Sequence, residues 1–160
     1  MMMAVWKIGP ALAAGNTVVL KPSDTTPETT LLLAEIASEF LPAGTFNLVM
    51  GRGRDVGEAM LGDARVAGVT FTGSEGTGRR VAQACVTRRG PMARFQLEMG
   101  GKNPLVVLDD ADLEVAVNCA INGAYFSTGQ RCTASSRLIV TAGIHDRFVE
   151  AMVAKLKTLA

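Results

Sequence analysis

Phe71-Thr72-Gly73-Ser74-Glu75-Gly76-Thr77-Gly78 runs from an apolar stretch through a glycine turn into the start of a helix. Val66 to Thr72 has the composition of a strand, and Gly73-Ser74 opens a helical pattern that continues to about Val86. The N–H groups at a helix N-terminus lack partners and, with the helix dipole, attract a phosphate. Ser74 adds a hydroxyl, and glycines at 73, 76 and 78 let a ligand approach the backbone closely. The spacing is neither Gly-x-Gly-x-x-Gly nor the phosphate loop with its lysine. Taken alone, the segment also suits an ordinary capped β-α turn.

The same alternation recurs on both sides. Upstream, Thr17 to Leu20 is a compact apolar run between Asn16 and Pro22. Thr26 is the expected cap of the next helix, with Pro27 in its first position and Glu28 at the positive end of its dipole. Leu32, Leu33, Ile36, Ala37 and Phe40 fall on one face, and Pro42 and Gly44 end the helix. Phe46 to Val49 reads as a strand and Val56 to Leu61 as a short helix. Downstream, Ala93 to Leu97 is a fourth strand. Repeated β-turn-α units favour a parallel sheet with helices on its faces.

The character changes at Gly100-Gly101. Pro104 to Leu108 is a further strand. Asp110 is the expected cap of a helix carrying Leu113, Val117, Ala120 and Ala124 on one stripe. Arg137 to Val140 is a strand, and His145 to Leu159 an amphipathic helix with Phe148, Met152, Leu156 and Leu159 inward. The expected boundary separates a nucleotide-binding part, residues 1–99, from a second part, residues 100–160.

The chain has 160 residues, 48% of them hydrophobic and only 5% aromatic, so its core rests on aliphatic side chains. Sixteen Lys+Arg against fifteen Asp+Glu leave a net charge of +1. That balance gives no electrostatic reason to expect nucleic acid or an anionic membrane as partner. No apolar stretch approaches the ~20 residues a bilayer crossing needs. Met1-Met2-Met3-Ala4-Val5-Trp6 lacks the charged region of a signal peptide and reads like the middle of an element. Three cysteines without a Cys-x-x-Cys pair point to a reduced, cytoplasmic setting, and a single histidine argues against a metal site.

Two segments carry reactive groups. Cys132 lies in Gly129-Gln130-Arg131-Cys132-Thr133-Ala134, and Glu98 in Gln96-Leu97-Glu98-Met99-Gly100-Gly101-Lys102. A thiol and a carboxylate beside glycines supply a nucleophile and a general base. Cys85 and Cys119 sit within helical patterns and are expected to pack. A cysteine hydrolase would need His145 as its base, and it would leave the glycine turns unexplained. Lys21-Pro22-Ser23-Asp24 falls at the carboxyl end of a strand, where open α/β sheets bind ligands. Lys21 can reach ribose hydroxyls or a phosphate and Asp24 a ribose hydroxyl, although Pro, Ser and Asp equally favour a solvated turn. Gly51-Arg52-Gly53 has the same ambiguity.

Five segments occur in order: Trp6 to Leu12, Gly15 to Ser23, Phe71 to Ser74, Leu97 to Lys102 and Gly129 to Thr133. Together they closely resemble the NAD(P)-dependent aldehyde dehydrogenase superfamily, from end to end of the chain. The resemblance implies an α/β fold: a Rossmann-like parallel sheet with helices on both faces, followed by the start of a second α/β catalytic domain. It implies that Cys132 is the nucleophile and Glu98 the general base. Lys21 matches a lysine on the adenosine ribose, and Ser23 joins it in the cofactor segment. Asp24 stands where many members carry a ribose-binding glutamate, so the cofactor is NAD or NADP. Gly51 and Gly53 match glycines near the adenine. Gly73 and Ser74 match the pyrophosphate turn that Gly78 closes, and Trp6 lies in a segment lining the cofactor site.

The implied reaction oxidises a small-molecule aldehyde to a carboxylic acid through a cysteine thiohemiacetal and thioester. Residues 95–110 and 126–147 resemble bacterial semialdehyde dehydrogenases, whereas Lys21 to Pro27 is closer to aminobutyraldehyde dehydrogenases. Family members usually run to about three times this length and, complete, are expected to be homo-oligomers. By that resemblance the chain is an internal piece. A second reading is a truncated nucleotide-binding fragment without turnover of its own.

Overall fold

A computed structural model describes residues 1–159. The elements are α1 (Met2–Ala13), β1 (Val18–Leu20), α2 (Glu28–Ser38), β2 (Phe46–Leu48), α3 (Glu58–Gly62) and β3 (Gly68–Gly73). They continue with α4 (Glu75–Thr87), β4 (Arg94–Met99), β5 (Asn103–Val107), α5 (Leu113–Tyr125), β6 (Ser135–Val140) and α6 (His145–Leu156). A π-helical turn, Gly53–Gly57, precedes α3, and a 3-10 turn, Phe126–Gly129, follows α5. This is the expected α/β order.

The strands pair two by two. β1 runs parallel to β2, with Val18 opposite Phe46 and Leu20 opposite Leu48. β3 pairs with β4; the Arg94 N–H donates to the Ala67 oxygen (3.0 Å) and the Thr70 hydroxyl to Gln96 (2.6 Å). β5 runs parallel to β6, with a register irregularity between Asn103 and Pro104. Parallel strands need crossover connections, and helices supply them: α2 between β1 and β2, and α5 between β5 and β6; α4 lies between β3 and β4 in the chain.

The chain divides into two compact units, Met1–Glu98 and Met99–Ala160. In the first, Val81, Cys85 and Ala93 form a buried cluster, backed by Val69, Phe71 and Leu97. In the second, Val107, Val117, Ala120, Ile121, Ile144 and Phe148 form the core, where α5, α6 and the β5–β6 pair meet.

Local signals placed several elements well. Ser74 caps α4, its side chain accepting from the Thr77 N–H at 3.3 Å. Others fell elsewhere. Thr26 makes no cap; α2 starts from Pro27 without a side-chain cap bond. Asp112, not Asp110, caps α5, accepting from the Val115 N–H at 2.9 Å. Residues 108–111 close a turn, with the Ala111 N–H on the Leu108 oxygen, so the helix begins after it. On α2 the side against β2 buries Thr30 and part of Leu33 and Ala37. Leu32, Ile36 and Phe40 are exposed, because a helix this apolar offers two faces at the same spacing. Leu159 lies beyond α6 and is exposed.

Candidate active site

Glu98 stands near the end of β4, exposed. Strand side chains alternate, so Gln96 and Glu98 share a face. The Gln96 amide nitrogen donates to the Glu98 carboxylate. The Gln96 amide oxygen in turn accepts from the Thr70 hydroxyl at 2.6 Å and from the Lys7 ammonium at 2.8 Å. Three elements thus hold one amide, which holds the carboxylate on one side and leaves the other side to solvent. A carboxylate so placed can take a proton from water. The reading of the sequence assigned no role to Gln96, Thr70 or Lys7. The two-residue spacing of Gln96 and Glu98 was the available signal for the first.

Cys132 is exposed, on the loop between the 3-10 turn and β6. The chain reaches it through three consecutive left-handed residues, Ser127 (φ 53°), Thr128 (φ 55°) and Gly129 (φ 70°). Only the last is a glycine; the first two carry strain of the kind that clusters at functional sites. Arg131 ties the loop back to α5, Nη2 donating to the carbonyls of Asn122 (2.7 Å) and Gly123 (3.2 Å). These are carbonyls of the last turn of the helix, and the Asn122 oxygen also accepts from the Phe126 N–H. The Arg131 guanidinium lies 4.9 Å from the Phe126 ring centroid. From the other side, Asn103 Nδ2 donates to the carbonyls of Cys132 (2.6 Å) and Ala134 (3.1 Å).

The other thiols differ. Cys85 is fully buried on α4, as expected, and burial pushes its thiol up, with Arg88 opposing in part. Cys119 was expected to pack and does not. It lies on the outer side of α5, away from the buried Val117, Ala120 and Ile121. His145 is exposed at the start of α6, its Nδ1 2.8 Å from the Asp146 carboxylate. No metal-holding group of three or more His, Cys, Asp or Glu occurs among the described residues.

Of the residues expected to bind nucleotide, Lys21, Ser23, Asp24, Gly51, Gly53, Gly73 and Ser74 lie at or just after the ends of β1, β2 and β3. Lys21 follows β1, its side chain only 18% exposed. Its ammonium donates to the Pro22 carbonyl (2.5 Å), the Asp24 carboxylate (2.9 Å) and the Gly51 carbonyl (3.1 Å). One cation therefore joins the ends of β1 and β2. Ser23 shares a hydrogen bond with the Thr25 hydroxyl at 2.9 Å. Gly51 has φ 140°, and a Cβ there would stand 2.5 Å from Val56 Cγ2. Trp6 is exposed on α1, and Gly78 is buried in α4.

The set offers a cation, hydroxyls and open backbone, the donor chemistry that ribose and phosphate groups take. A Cβ built at Gly53 or at Gly76 would meet nothing within 4 Å, so both backbones are open to close approach. Glu75 and Gly76 begin α4, where N–H groups lack intrahelical acceptors. At Gly73 the space is already filled: a Cβ would stand 2.5 Å from the Phe71 ring, so that glycine serves packing within the strand end.

Residues 1–160 match the aldehyde dehydrogenase family. The chain belongs to that family. It is 48% identical over 159 residues to the alpha-ketoglutaric semialdehyde dehydrogenase of Bacillus subtilis, covering 97% of this chain and 31% of that protein. Among solved structures it is similar to an NADP-dependent enzyme of E. coli: TM-score 0.90, 40% identity, 98% of this chain and 32% of the other. It is also similar to a betaine aldehyde dehydrogenase variant from Staphylococcus aureus in complex with NAD+ and with a BME-modified cysteine. That likeness has a TM-score of 0.88 and 43% identity, over 98% of this chain and 31% of the other. The chain spans about a third of the length of the relatives it matches. No helix is long and apolar enough to cross a membrane among the described residues.

Proposed function

We propose that this chain supplies the dinucleotide-binding and nucleophile-bearing part of an NAD(P)-dependent aldehyde dehydrogenase. The observation that carries the reading is the setting of Cys132. It is exposed, it follows a strained left-handed turn, and hydrogen bonds hold its loop from two sides. A buried structural thiol has none of these features, as Cys85 shows. Residues 1–99 form the cofactor part in this reading and residues 100–160 the beginning of the catalytic part.

Lys21, Ser23 and Asp24, with Gly51 and Gly53, take the adenosine end of NAD or NADP. Gly73, Ser74 and Gly78 shape the pyrophosphate turn, and Trp6 lines the same site. When bound, the nicotinamide supplies a two-electron hydride acceptor. Cys132, as thiolate, attacks the aldehyde carbon and forms a tetrahedral thiohemiacetal. Its own backbone N–H is the nearest donor for the developing oxyanion. After oxidation the carbon is held as a thioester. Glu98 takes a proton from water, and the resulting nucleophile displaces the sulfur, releasing the carboxylic acid.

The substrate is a small aldehyde, with semialdehydes favoured by the 48% identity to a semialdehyde dehydrogenase. The near-balanced charge supports a small-molecule partner rather than nucleic acid or membrane, and a cytoplasmic, homo-oligomeric enzyme completes the proposal. Titration with NAD and NADP, followed by short aldehydes and absorbance at the reduced-nicotinamide band, tests it. Cofactor binding, with Cys132→Ser abolishing oxidation but not binding, is the expected result. Acyl release without cofactor would favour a hydrolase instead.

A second reading is nucleotide binding by this chain without turnover of its own. Weak cofactor binding and no NADH from the isolated chain would support it.

A further inference from the structure

Asn103 spends both amide hydrogens on the loop of the nucleophile. Nδ2 donates to the carbonyl of Cys132 at 2.6 Å and to that of Ala134 at 3.1 Å. The bond to Ala134 has an ordinary N–H···O length and the bond to Cys132 is slightly shorter. The residue sits at the start of β5, where the β5–β6 register is irregular between Asn103 and Pro104. Asn103 pairs with Ser135, yet Pro104 pairs with Arg137. The slack in the ladder falls beside Ser135, just after the Cys132 loop, and the Asn103 side chain bridges that place.

The carbonyl of Cys132 belongs to the peptide plane that leads to Thr133. Pinning that plane limits ψ at Cys132 and thus the direction in which Cβ and Sγ leave the backbone. It also keeps two carbonyl dipoles turned toward Asn103.

The neighbouring glycine makes room for the clamp. A Cβ built on Gly101 would stand 3.0 Å from Asn103 Oδ1 and 3.5 Å from both Cγ and Nδ2. Any side chain at 101 presses on the amide that does the holding. The glycine pair near the start of the second unit therefore has a local use.

We propose that Asn103 is a positioning residue for the Cys132 nucleophile, acting through the Cys132 and Ala134 carbonyls. The inference rests on the reading of Cys132 as nucleophile. Arg131 fixes the approach to the loop, and Asn103 fixes its exit into β6.

Thiol labelling of the purified protein tests both levels at once. Iodoacetamide is added, and the rates at Cys132, Cys119 and Cys85 are followed separately by peptide mass spectrometry. Cys119 is an exposed comparator and Cys85 a buried reporter of unfolding. In the native chain Cys132 labels faster than Cys119. Asn103→Ala lowers the Cys132 rate about tenfold, within the loss a 1 Å misplacement causes, and leaves Cys119 unchanged. Asn103→Ser, which keeps one donor, recovers part of the loss. A native Cys132 no faster than Cys119 removes the nucleophile and the clamp together. A fast native Cys132 that is unaltered in Asn103→Ala overturns the positioning role alone. Rapid labelling of Cys85 in a variant would mark a fold that has failed, and amide exchange in the native chain then decides. Slow exchange at Thr133, whose N–H shares the peptide plane of the Cys132 carbonyl, supports the clamp; exchange as fast as in an open loop overturns it.

Discussion

The Lys21 ammonium donates to the carbonyl oxygen of Gly51 across 3.1 Å, linking the loop after β1 to the loop after β2. The Lys21 side chain is only 18% exposed, and Gly51, at φ 140°, presents its carbonyl to the ammonium. Ligands of open α/β sheets bind at this carboxyl edge. The lysine therefore has two uses: it joins two loops and it sets a positive charge where a nucleotide is proposed to lie. Lys21→Ala removes both. Hydrogen bonds to charged groups contribute about 1.5–3 kcal/mol, so cofactor affinity should fall about 10- to 100-fold. Fluorescence titration with NAD and NADP measures it. Unchanged affinity for both would detach this edge from the cofactor.

Glu98 is held through Gln96, whose amide oxygen is itself fixed by Thr70 and Lys7. Glu98→Gln keeps the shape of the side chain and removes the base. The first equivalent of NADH should still form in an active enzyme, followed by a stall at the thioester. Steady-state turnover should drop about 100- to 10,000-fold, the usual contribution of a positioned base. Stopped-flow absorbance separates the two phases. A native steady state would remove Glu98 from the mechanism.

Much of the α/β order could be read from local signals, and the reasons are local too. Ser74 follows a glycine and precedes Glu75, so its side chain finds the Thr77 N–H without help from distant residues. The α5 stripe through Val117 and Ala120 was legible because Glu114, Asn118 and Asn122 fall off it, although Val115 and Cys119 are exposed beside them. The inner face of α2 was not, since Leu32 and Leu33 offer stripes one residue apart and only β2 selects between them. Asp110 and Asp112 both suit a cap; the turn closed on Leu108 chooses the second. Glu98 and Cys132 stood out in sequence because glycines flank their segments. Asn103 did not. Its partners lie on the far side of a crossover helix, and no spacing along the chain announces a side chain that bonds to backbone carbonyls.

Asp63 gives the pH dependence that the structure supports most directly. Its carboxylate accepts from Arg65 Nε (3.0 Å), Nη2 (2.6 Å) and the Arg65 backbone N–H (2.9 Å). These bonds hold its pKa at about 2, below the ordinary carboxylate value. A carboxyl group depressed in the folded state stabilises the fold above its unfolded pKa of ~3.9 and loses that contribution as pH falls through the folded value. The effect should appear between about pH 4 and 2. Arg65→Ala should return Asp63 toward the ordinary range and flatten stability across that window. Carboxyl NMR titration of both proteins reads the shift, and an unmoved Asp63 would assign the depression to something other than Arg65.

Gly129 carries the most constrained backbone position before the nucleophile. Its φ is 70°, and a Cβ there would stand 2.7 Å from the Ala124 carbonyl oxygen, a backbone atom that cannot swing aside. Ser127 and Thr128 already occupy the left-handed region without being glycines, so the turn has little slack left to relax into. Gly129→Ala should therefore destabilise the second unit by about 1–3 kcal/mol, the range for a residue forced into a sparsely populated conformation. Urea unfolding followed by circular dichroism measures this. The same variant should slow iodoacetamide labelling of Cys132 relative to Cys119, because the displaced turn feeds directly into Arg131 and Cys132. Native stability together with native labelling would show that the loop tolerates a side chain there and that the left-handed turn does not set the place of the sulfur.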